Sequence, residues 1–253
     1  MLKLNDDEFR RLQLTELELL KEVDRICKKH DIHYVIIAGT LLGAVRHGGF
    51  IPWDDDADIA MLREDYQKFR DVCESELKDR PFYFQDDAVT EGYRWGYGKF
   101  RRADTIYSRE GQEFMPYEQG IMIDIFPMDG VPDGAFGRRL KDLQCFFVRK
   151  ILWSKIGKVR DKSTFKRAVY RLLDRIPEEK IKGYYHKMID KAGRDTKYVR
   201  ILLFPTGNRK KGYLRRWYAE SEEILFEGYP FEGIKDKEEY LSFKFGNYME
   251  YPP

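Results

Sequence analysis

Apolar side chains recur along the chain in two different periods, and each change of period predicts a change between helix and strand. Near the N-terminus, Asn5 and Glu8 resemble a capping box, and the stripe that follows has helical spacing: Phe9, Leu12, Leu19, Leu20, Val23, Ile26, Cys27. Short β-branched or aromatic runs predict strands: IHYVIIAG, ADIAML, PFYFQ, YRWGYGKFRR and IMIDIFPMDGVP. We expect the last of these strands to end at Pro127, and TIYSRE to return beside YRWGYGKFRR as a hairpin around Ala103–Asp104.

The first half of the chain mixes predicted strands with helices, which are predicted for TLLGAVR and for residues 64–78. The second half is different, because residues 135–192 predict three successive helices, two of them strongly basic. Strand-like segments return at YVRILLF and EEILFEGYPF, and a final helix is predicted over residues 237–245. The pattern predicts an α/β (α+β) fold with an N-terminal helix and a mixed sheet. We expect a catalytic core over 1–130, a basic helical module over 131–197 and a C-terminal segment, 198–253, that packs back on the core.

Composition supports a globular protein with a highly charged surface. Charged residues make up 36% of the chain, against about 25% in an average protein. A hydrophobic content of 42%, with 15% aromatic residues, argues against disorder. The three cysteines are far apart and lie among apolar positions, which favours reduced, packed thiols.

Targeting signals are missing from the sequence pattern. MLKLNDDEFRR contains no apolar h-region, and the longest apolar run, residues 34–45, is too short to span a bilayer. We therefore expect a cytoplasmic protein whose membrane contact, if it has one, is peripheral and at the inner face.

Charge is distributed unevenly along the chain. Residues 138–182 contain fifteen Lys or Arg against five Asp or Glu, so a net charge of +2 for the whole chain leaves −8 for the remainder. The asymmetry indicates either an anionic partner for the predicted basic helices, such as an anionic membrane, or ordinary solvated helix faces.

The motif PWDDDADIAM places four aspartates within five positions where a buried strand begins. Alternation along a strand points Asp56 and Asp58 to one side, with Ala57 and Ile59 on the packed side, and Asp54 joins them if the strand extends that far. Carboxylates crowded in this way suit one or two Mg²⁺ ions. Three alternative interpretations are disfavoured. An EF-hand loop would require glycine where Ile59 stands, and a solvated turn does not explain Asp58. A glycosidase with paired carboxylates would need two acids in contrasting environments.

Two further features match nucleotide chemistry. Gly39 and Thr40 follow a predicted strand and open a short helix, which creates an anion site for phosphate. Asp124, flanked by isoleucines in IMIDIF, is the best candidate for a third carboxylate on a neighbouring strand. Together with the acidic motif, these features are typical of a nucleotidyltransferase.

The segments AGTLLGAVRHGGFIPWDDDADIAM and IMIDIFPMDGVP resemble the LicD family of phosphotransferases, within the nucleotidyltransferase-fold superfamily, and the tail FKFGNYMEYPP resembles that family's closing segment. The resemblance implies transfer of a phospho-alcohol from a CDP-activated donor to a sugar hydroxyl of a cell-surface glycan. Phosphocholine from CDP-choline is the expected case, in modification of lipopolysaccharide or teichoic acid. A lipid-linked glycan is one expected form of the acceptor. No nucleic acid is expected as a partner.

The resemblance and the strand geometry together assign roles to particular residues. Asp56 and Asp58 are expected to hold Mg²⁺ or Mn²⁺ with help from Asp54, and Asp124 is expected to complete the site and to accept the proton of the sugar hydroxyl. Cations are expected near the phosphates, and the candidates are Arg46, Lys99 and Arg101. His47, beside two glycines, is expected to be a loop residue.

Aromatic residues near the acidic motif could form a cage for a quaternary ammonium, or could belong to the core: Trp53, Tyr93, Trp95, Tyr97. The alternative function within the superfamily is transfer of a nucleotide to RNA or to a small molecule. A different class, a binding protein or an inactive subunit, is disfavoured because the three acids Asp56, Asp58 and Asp124 are all present.

Overall fold

The computed structural model describes residues 4–108, 111–204 and 211–251. Eight helices lie in these ranges: α1 (Asp6–Lys29), α2 (Ala38–His47), α3 (Arg63–Glu76), α4 (Ala135–Arg160), α5 (Thr164–Leu173), α6 (Glu178–Asp190), α7 (Arg216–Ala219), α8 (Lys237–Phe245). The same ranges contain nine strands: β1 (Val35–Ile36), β2 (Asp58–Leu62), β3 (Phe82–Gln85), β4 (Gly98–Arg102), β5 (Met122–Val131), β6 (Tyr198–Arg200), β7 (Tyr213–Leu214), β8 (Ser221–Phe226), β9 (Tyr229–Ile234).

The predicted helices are confirmed with small shifts of their ends. The capping box of α1 is formed, because the Asn5 side chain accepts a hydrogen bond from the backbone of Glu8 and the Glu8 side chain accepts one from the backbone of Asn5. Residues 135–192 form the three predicted helices, and α8 has the predicted bounds. None of the helices in the described part of the chain is long and apolar enough to cross a membrane.

The sheet is mixed, as predicted, with the strand order β3-β4-β5-β2-β1-β9-β8. Two neighbouring pairs are parallel, β2 with β5 and β1 with β9, and the other pairs are antiparallel. The last residues of β5 leave this order and pair with β6, which in turn pairs with β7. β5 therefore joins the main sheet to the segment that follows the three basic helices.

The prediction that the strand ends at Pro127 is wrong, because β5 continues to Val131. Proline cannot donate to a β-ladder, so it is tolerated where a neighbouring strand has already ended. The β4 ladder stops at the pair Gly98–Ile125, before Pro127 is reached. The missing N–H of Pro127 thus removes no bond to β4.

The predicted hairpin around Ala103–Asp104 is also wrong for the described residues 105–108, which form no strand. Both edges of β4 are occupied, one by β3 and the other by β5. No edge is left for a returning strand, and Asp104 instead takes a left-handed turn with φ of 60°. Residues 109 and 110 of TIYSRE lie outside the described residues.

Buried side chains form a main hydrophobic core and a second cluster beside it. The main core joins the sheet to the apolar faces of α1, α2 and α3, and includes Leu19, Val23 and Phe69. The second cluster lies among α4, α6 and the end of β5 and includes Cys145, Tyr185 and Val131. Because β5 contributes to the second cluster, the basic helices are fixed to the sheet. The predicted module boundaries remain predictions.

A buried ion pair connects the end of β5 to the start of α3. The Arg63 guanidinium donates Nε–H to Oδ1 of Asp129 over 2.7 Å and an Nη2 hydrogen to Oδ2 over 2.6 Å. The Asp129 side chain is 1% exposed and that of Arg63 is 17% exposed. Charges buried to this extent are stable only as a pair, because either charge alone would lack its solvation.

We expect Asp129→Ala to lower the free energy of unfolding by about 3–5 kcal/mol, since it leaves the Arg63 charge buried and unpaired. The matched control is Asp71→Ala, which removes an exposed partner of Arg70 and should cost about 0–1 kcal/mol. Urea denaturation of both variants measures the difference. Equal losses would show that the Arg63–Asp129 pair does not hold β5 to α3.

Candidate active site

The last aspartate of the acidic motif, Asp58, is the first residue of β2, and contacts with the start of α2 fix its position. The backbone N–H of Asp58 donates to Oγ1 of Thr40 over 2.8 Å, and the Asp58 carbonyl accepts from the backbone N–H of Ile37 over 3.0 Å. Ala57 and Ile59 on either side are fully buried, as the strand alternation predicts. The start of α2 therefore determines where the Asp58 carboxylate lies.

Three ionisable residues lie side by side across three strands. Asp58 is the register partner of Asp124 in the parallel pair of β2 and β5, and Asp124 is the register partner of Lys99 in the antiparallel pair of β5 and β4. Neighbouring strands lie about 4.8 Å apart, so these side chains are adjacent on one face. Lys99 Nζ donates to Asp124 Oδ1 over 2.5 Å, and the Lys99 side chain is 2% exposed. The row thus contains a buried ion pair with a second carboxylate next to it.

Burial and repulsion by neighbouring carboxylates raise the pKa of two aspartates in the motif, Asp54 and Asp58. The pKa of Asp58 is raised well above its usual range by desolvation and by the negative charges of Asp56 and Asp124, while the positive charge of Lys244 opposes the shift. The pKa of Asp54 is raised to about 6 by desolvation, by the charges of Asp56 and Asp55, and by a hydrogen bond with Asp56. The protein places these carboxylates together at an electrostatic cost.

Glu16 of α1 is a further carboxylate of this cluster, and the sequence analysis missed it. The residue is 1% exposed, and its Oε2 has no hydrogen-bond partner in the described part of the chain. Burial and the negative charges of Asp56, Asp55, Asp54 and Asp58 raise its pKa well above the usual range. One signal was available, because Glu16 interrupts the apolar stripe of α1 four residues after Leu12 and four before Leu20.

The predicted anion site at Gly39 and Thr40 lies next to the acidic motif. A Cβ at Gly39 would stand 2.4 Å from Oδ2 of Asp54, so only glycine leaves room for that carboxylate. Ala38, the first residue of α2, has a φ of 52°, in the region that favours glycine, and its N–H donates to the Tyr240 hydroxyl over 3.3 Å. α8 therefore supports the start of α2 in a strained conformation.

A cavity of about 220 Å³ opens beside Asp58. Its cationic residues are Arg200 and Lys244, and its aromatic residues are Phe126, Phe204 and Tyr213. The position of Arg200 depends on the pairing of β5 with β6, which the motifs did not reveal. Lys244 lies in the tail segment FKFGNYMEYPP that resembles the LicD closing segment, so its importance could have been inferred.

The three cations predicted from the sequence have different surroundings. Lys99 lies in the row with Asp124, as described above. Arg101, also 2% exposed, donates to the Gln85 side chain over 2.7 Å and to the Gly120 carbonyl over 2.5 Å. Arg46 donates to the backbone carbonyls of Tyr248 and Glu250 over 3.0 and 3.2 Å, so its hydrogen bonds hold the C-terminal tail.

The four aromatic residues considered for an ammonium cage have separate ring partners. Trp53 packs against the rings of His47 and Tyr251, and Tyr93 packs against Tyr117. Trp95 packs against Trp153, while Tyr97 packs against Phe126 and Phe204 at the cavity beside Asp58. Phe126, Phe204 and Tyr213, the aromatic residues that line this cavity, were not candidates in the sequence.

The carboxylates fit a hard divalent cation in chemistry and in number. All donors in the cluster are carboxylate oxygens. The raised pKa values of Glu16, Asp54 and Asp58, together with the unpartnered Glu16 Oε2, indicate a crowding of carboxylates that a bound cation would compensate. No three Asp, Glu, His or Cys side chains of the described residues converge to surround one ion. Mg²⁺ commonly takes one or two protein carboxylates and completes its shell with water and substrate phosphates, so a two-carboxylate site suffices.

The fold and site define a mixed α/β protein with crowded carboxylates at the start of a central strand. Residues 31–133 match the family model described as LicD/FKTN/FKRP, nucleotidyltransferase domain. The LicD resemblance is thus confirmed for this stretch, which contains Asp54, Asp56, Asp58 and Asp124 and matches the LicD family model.

Individual relatives extend this result. The chain is 28% identical over 256 residues to the lipopolysaccharide cholinephosphotransferase LicD of Haemophilus influenzae, an alignment that covers 97% of this chain and 92% of the relative. It is also 40% identical over 75 residues to an uncharacterized protein of Rickettsia typhi, covering 27% of this chain and 24% of that protein. An uncharacterized protein of Rickettsia prowazekii is 50% identical over 52 residues, covering 21% and 20%.

We expect Glu16→Gln to raise the free energy of unfolding at pH 7 in metal-free buffer. The folded state raises the pKa of Glu16 above its ordinary value of 4.5, so the wild type loses stability as pH rises above that value, whereas glutamine does not ionise. The gain should therefore shrink towards zero as the pH falls below 4.5. Denaturation curves across this range measure it. Glu18→Gln, an exposed change on the same helix, is the control, and a gain that does not vary with pH would contradict the electrostatic origin.

Proposed function

We propose that the protein transfers a phospho-alcohol, phosphocholine in the first instance, from a CDP-activated donor to a sugar hydroxyl of lipopolysaccharide. The observation that carries this proposal is the row of Asp58, Asp124 and Lys99 beside a cationic cavity, in a chain similar along nearly its whole length to a lipopolysaccharide cholinephosphotransferase. Phosphoryl transfer requires the positioning of reactants and the stabilisation of charge, and this row and cavity offer both.

In the proposed reaction the sugar hydroxyl attacks the phosphorus that bears the alcohol. A new O–P bond forms, the bond from that phosphorus to the bridging oxygen of the diphosphate breaks, and CMP leaves with the electron pair. Asp124 accepts the hydroxyl proton, and Lys99 holds that carboxylate in place through the 2.5 Å ion pair. Arg200 and Lys244 pair with the phosphate oxygens as negative charge moves onto CMP.

Asp56 and Asp58 would hold Mg²⁺ or Mn²⁺, with Asp54 as a neighbouring carboxylate. When bound, the ion supplies charge neutralisation at the diphosphate. Gly39 and Thr40 support this arrangement, because the Thr40 hydroxyl accepts from the backbone N–H of Asp58 and Gly39 leaves space for the Asp54 carboxylate.

The aromatic lining of the cavity favours choline as the alcohol. A quaternary ammonium is attracted to the faces of aromatic rings, with a free energy of about 0.5–2 kcal/mol. Phe126, Phe204 and Tyr213 provide such rings in the cavity that contains Asp58. A polyol carries no cation for these faces to attract, so a CDP-polyol should bind less tightly than CDP-choline.

We expect Asp58→Asn to lower the rate of CMP release from CDP-choline, with lipopolysaccharide and Mg²⁺ present, by about 10²-fold or more. Asp55→Asn is the matched control, because it makes the same change in the same motif at an exposed residue that bonds only to the Tyr107 hydroxyl among the described residues. Thermal unfolding should confirm that both variants fold. Equal activity in the two variants would contradict the assignment of Asp58.

Thermal shifts with other nucleotides test the alternative function. A ligand at about a hundred times its Kd stabilises a protein by about 2.7 kcal/mol. Stabilisation by CDP-choline with Mg²⁺, absent in Asp58→Asn, supports the proposal. Stabilisation by ATP or CTP, with none by a CDP-alcohol, would instead favour transfer of a nucleotide to RNA or a small molecule.

We also propose that the basic helices α4 and α5 rest on an anionic membrane, where a lipid-linked glycan is available. Exposed apolar side chains follow one stripe on each helix: Phe136, Leu140, Leu143 and Phe147 on α4, and Phe165, Val169 and Leu172 on α5. Phe136 is 82% exposed and Phe165 is 76% exposed. Arg139, Lys166 and Arg171 are also exposed on these helices, a combination typical of helices that lie in a membrane interface.

We expect the protein to sediment at low salt with phosphatidylglycerol-containing vesicles and much less with phosphatidylcholine alone. The double variant Phe165→Ser, Leu172→Ser should lower partitioning by about tenfold or more, because each apolar side chain contributes about 1.5–3 kcal/mol when fully buried. Ile106→Ser, at a residue that is 90% exposed outside the helices, is the control. Equal binding to both vesicle types, or an equal loss in the control, would contradict membrane docking by α5.

A further inference from the structure

A second and larger cavity, of about 430 Å³, lies between α4 and the segment that leads into β4. Trp95 and Trp153 form part of its wall, with their ring centroids 5.7 Å apart. Arg94 and Arg149 also line it. None of these four residues takes part in the proposed chemistry at Asp58, so the proposed reaction does not use this cavity.

The two arginines of this cavity have unused hydrogen-bonding capacity. Arg149 is half-buried, and its side chain makes no ion pair or hydrogen bond with any other described residue. Arg94 is 5% exposed, and although its Nη1 lies 3.2 Å from Oε2 of Glu178, its Nε has no acceptor among the described residues. A buried guanidinium normally has its donors satisfied, so the unpartnered Nε of Arg94, with the unpaired charge of Arg149 in the same cavity, indicates an anionic ligand.

The aromatic wall restricts the ligand further. The Trp95 indole donates to the Tyr117 hydroxyl over 3.1 Å, which fixes the ring at the wall of the cavity. The C–H face of a sugar ring packs well on a flat aromatic surface, while the hydroxyl groups at its edge remain available for hydrogen bonds. An indole wall combined with two arginines therefore suits a sugar that carries a carboxylate or a phosphate.

The second cavity adjoins the first one. Phe204 lines both cavities. Tyr97 lines the second cavity, and its ring packs against Phe126 of the first at 5.0 Å between centroids. Lys99 Nζ lies 5.3 Å from the centre of the same tyrosine ring. A molecule in the second cavity is thus separated from the Lys99–Asp124 pair by little more than one aromatic ring.

We propose that the second cavity binds the acceptor, through an acidic sugar that bears a carboxylate or phosphate group. This inference rests on the proposed function, because it assigns the cavity to a sugar of the acceptor glycan that neighbours the sugar whose hydroxyl reacts. Arg149 and Arg94 pair with the anionic group, and the indoles of Trp95 and Trp153 support the ring of the sugar. The cavity then selects acceptor glycans by charge, while the cavity at Asp58 selects the donor.

The indole N–H signals of the four tryptophans allow a direct test by NMR on the full chain with ¹⁵N-labelled tryptophan. The probes are glucuronate, glucose 6-phosphate, glucose and inorganic phosphate, with no donor and no metal present. We expect both anionic sugars to shift the signals of Trp95 and Trp153 and to leave those of Trp53 and Trp217 unchanged. Glucose should bind at least about tenfold more weakly, the equivalent of about 1.4 kcal/mol for the lost ion pair.

The matched variants are Arg149→Gln and Arg139→Gln, which make the same change on the same helix. Arg149→Gln should weaken the binding of both anionic sugars about tenfold. Arg139→Gln, at an exposed residue, should change it less than twofold. Thermal unfolding shows whether each variant is folded before titration.

Several results would overturn the assignment. They are the absence of a shift with either anionic sugar, equal binding of glucose and glucuronate, and equal effects of the two arginine variants. Inorganic phosphate that binds as tightly as glucose 6-phosphate would show that the cavity takes a free anion only. Because the titration requires neither donor nor metal, its failure leaves the loss of CMP release in Asp58→Asn intact. Conversely, sugar binding with no CDP-choline activity would overturn the proposed reaction alone.

Discussion

The parallel pairing of β2 with β5 is the constraint on which the candidate site depends. It places Asp58 beside Asp124 and, through the next strand, beside Lys99. The ladder that β2 and β5 share begins at the pair Asp58–Asp124. These two carboxylates therefore cannot move apart without disrupting the centre of the sheet. The Arg63–Asp129 pair fixes the other end of β5, and the hydrogen bond to Thr40 fixes the start of β2. The acids are therefore positioned by rigid elements, as a site for charge stabilisation requires.

The clustering of carboxylates opposes folding, and the structure offsets it only in part. Lys99 pairs with Asp124, and Lys244 reduces the shift at Asp58, but the pKa values of Asp54, Asp58 and Glu16 remain raised. Groups whose ionised form is disfavoured to this extent are common where a protein binds a cation or performs proton transfer. The same residues thus lower the stability of the folded chain and are the candidates for the chemistry of the proposed site.

Most of the helices and strands could be predicted from the sequence because the signals that define them are local. The capping box of α1, the alternation around Asp58 and Asp124, and the bounds of α8 all follow from neighbouring residues. Pro127 and the expected hairpin gave wrong predictions, because both depend on which edges of β4 and β5 are occupied. Glu16, Arg200 and Lys244 reach the site from elements far apart in the sequence, and only tertiary packing brings them together. Lys99 could be placed by strand alternation, whereas the contacts of Arg46 and Arg101 could not.

The pairing of β1 with β9 has a consequence for how the chain is made. Ile36 is the register partner of Gly233, so β1 finds this neighbour only after almost the whole chain has been synthesised. Until then, one edge of a buried, apolar strand is open and can pair with other chains. Lys244 and Tyr240, which contribute to the site from α8, arrive later still. During translation the candidate site around the acidic motif is thus completed last, and chains released before β9 is made are left with an exposed sheet edge and an incomplete site.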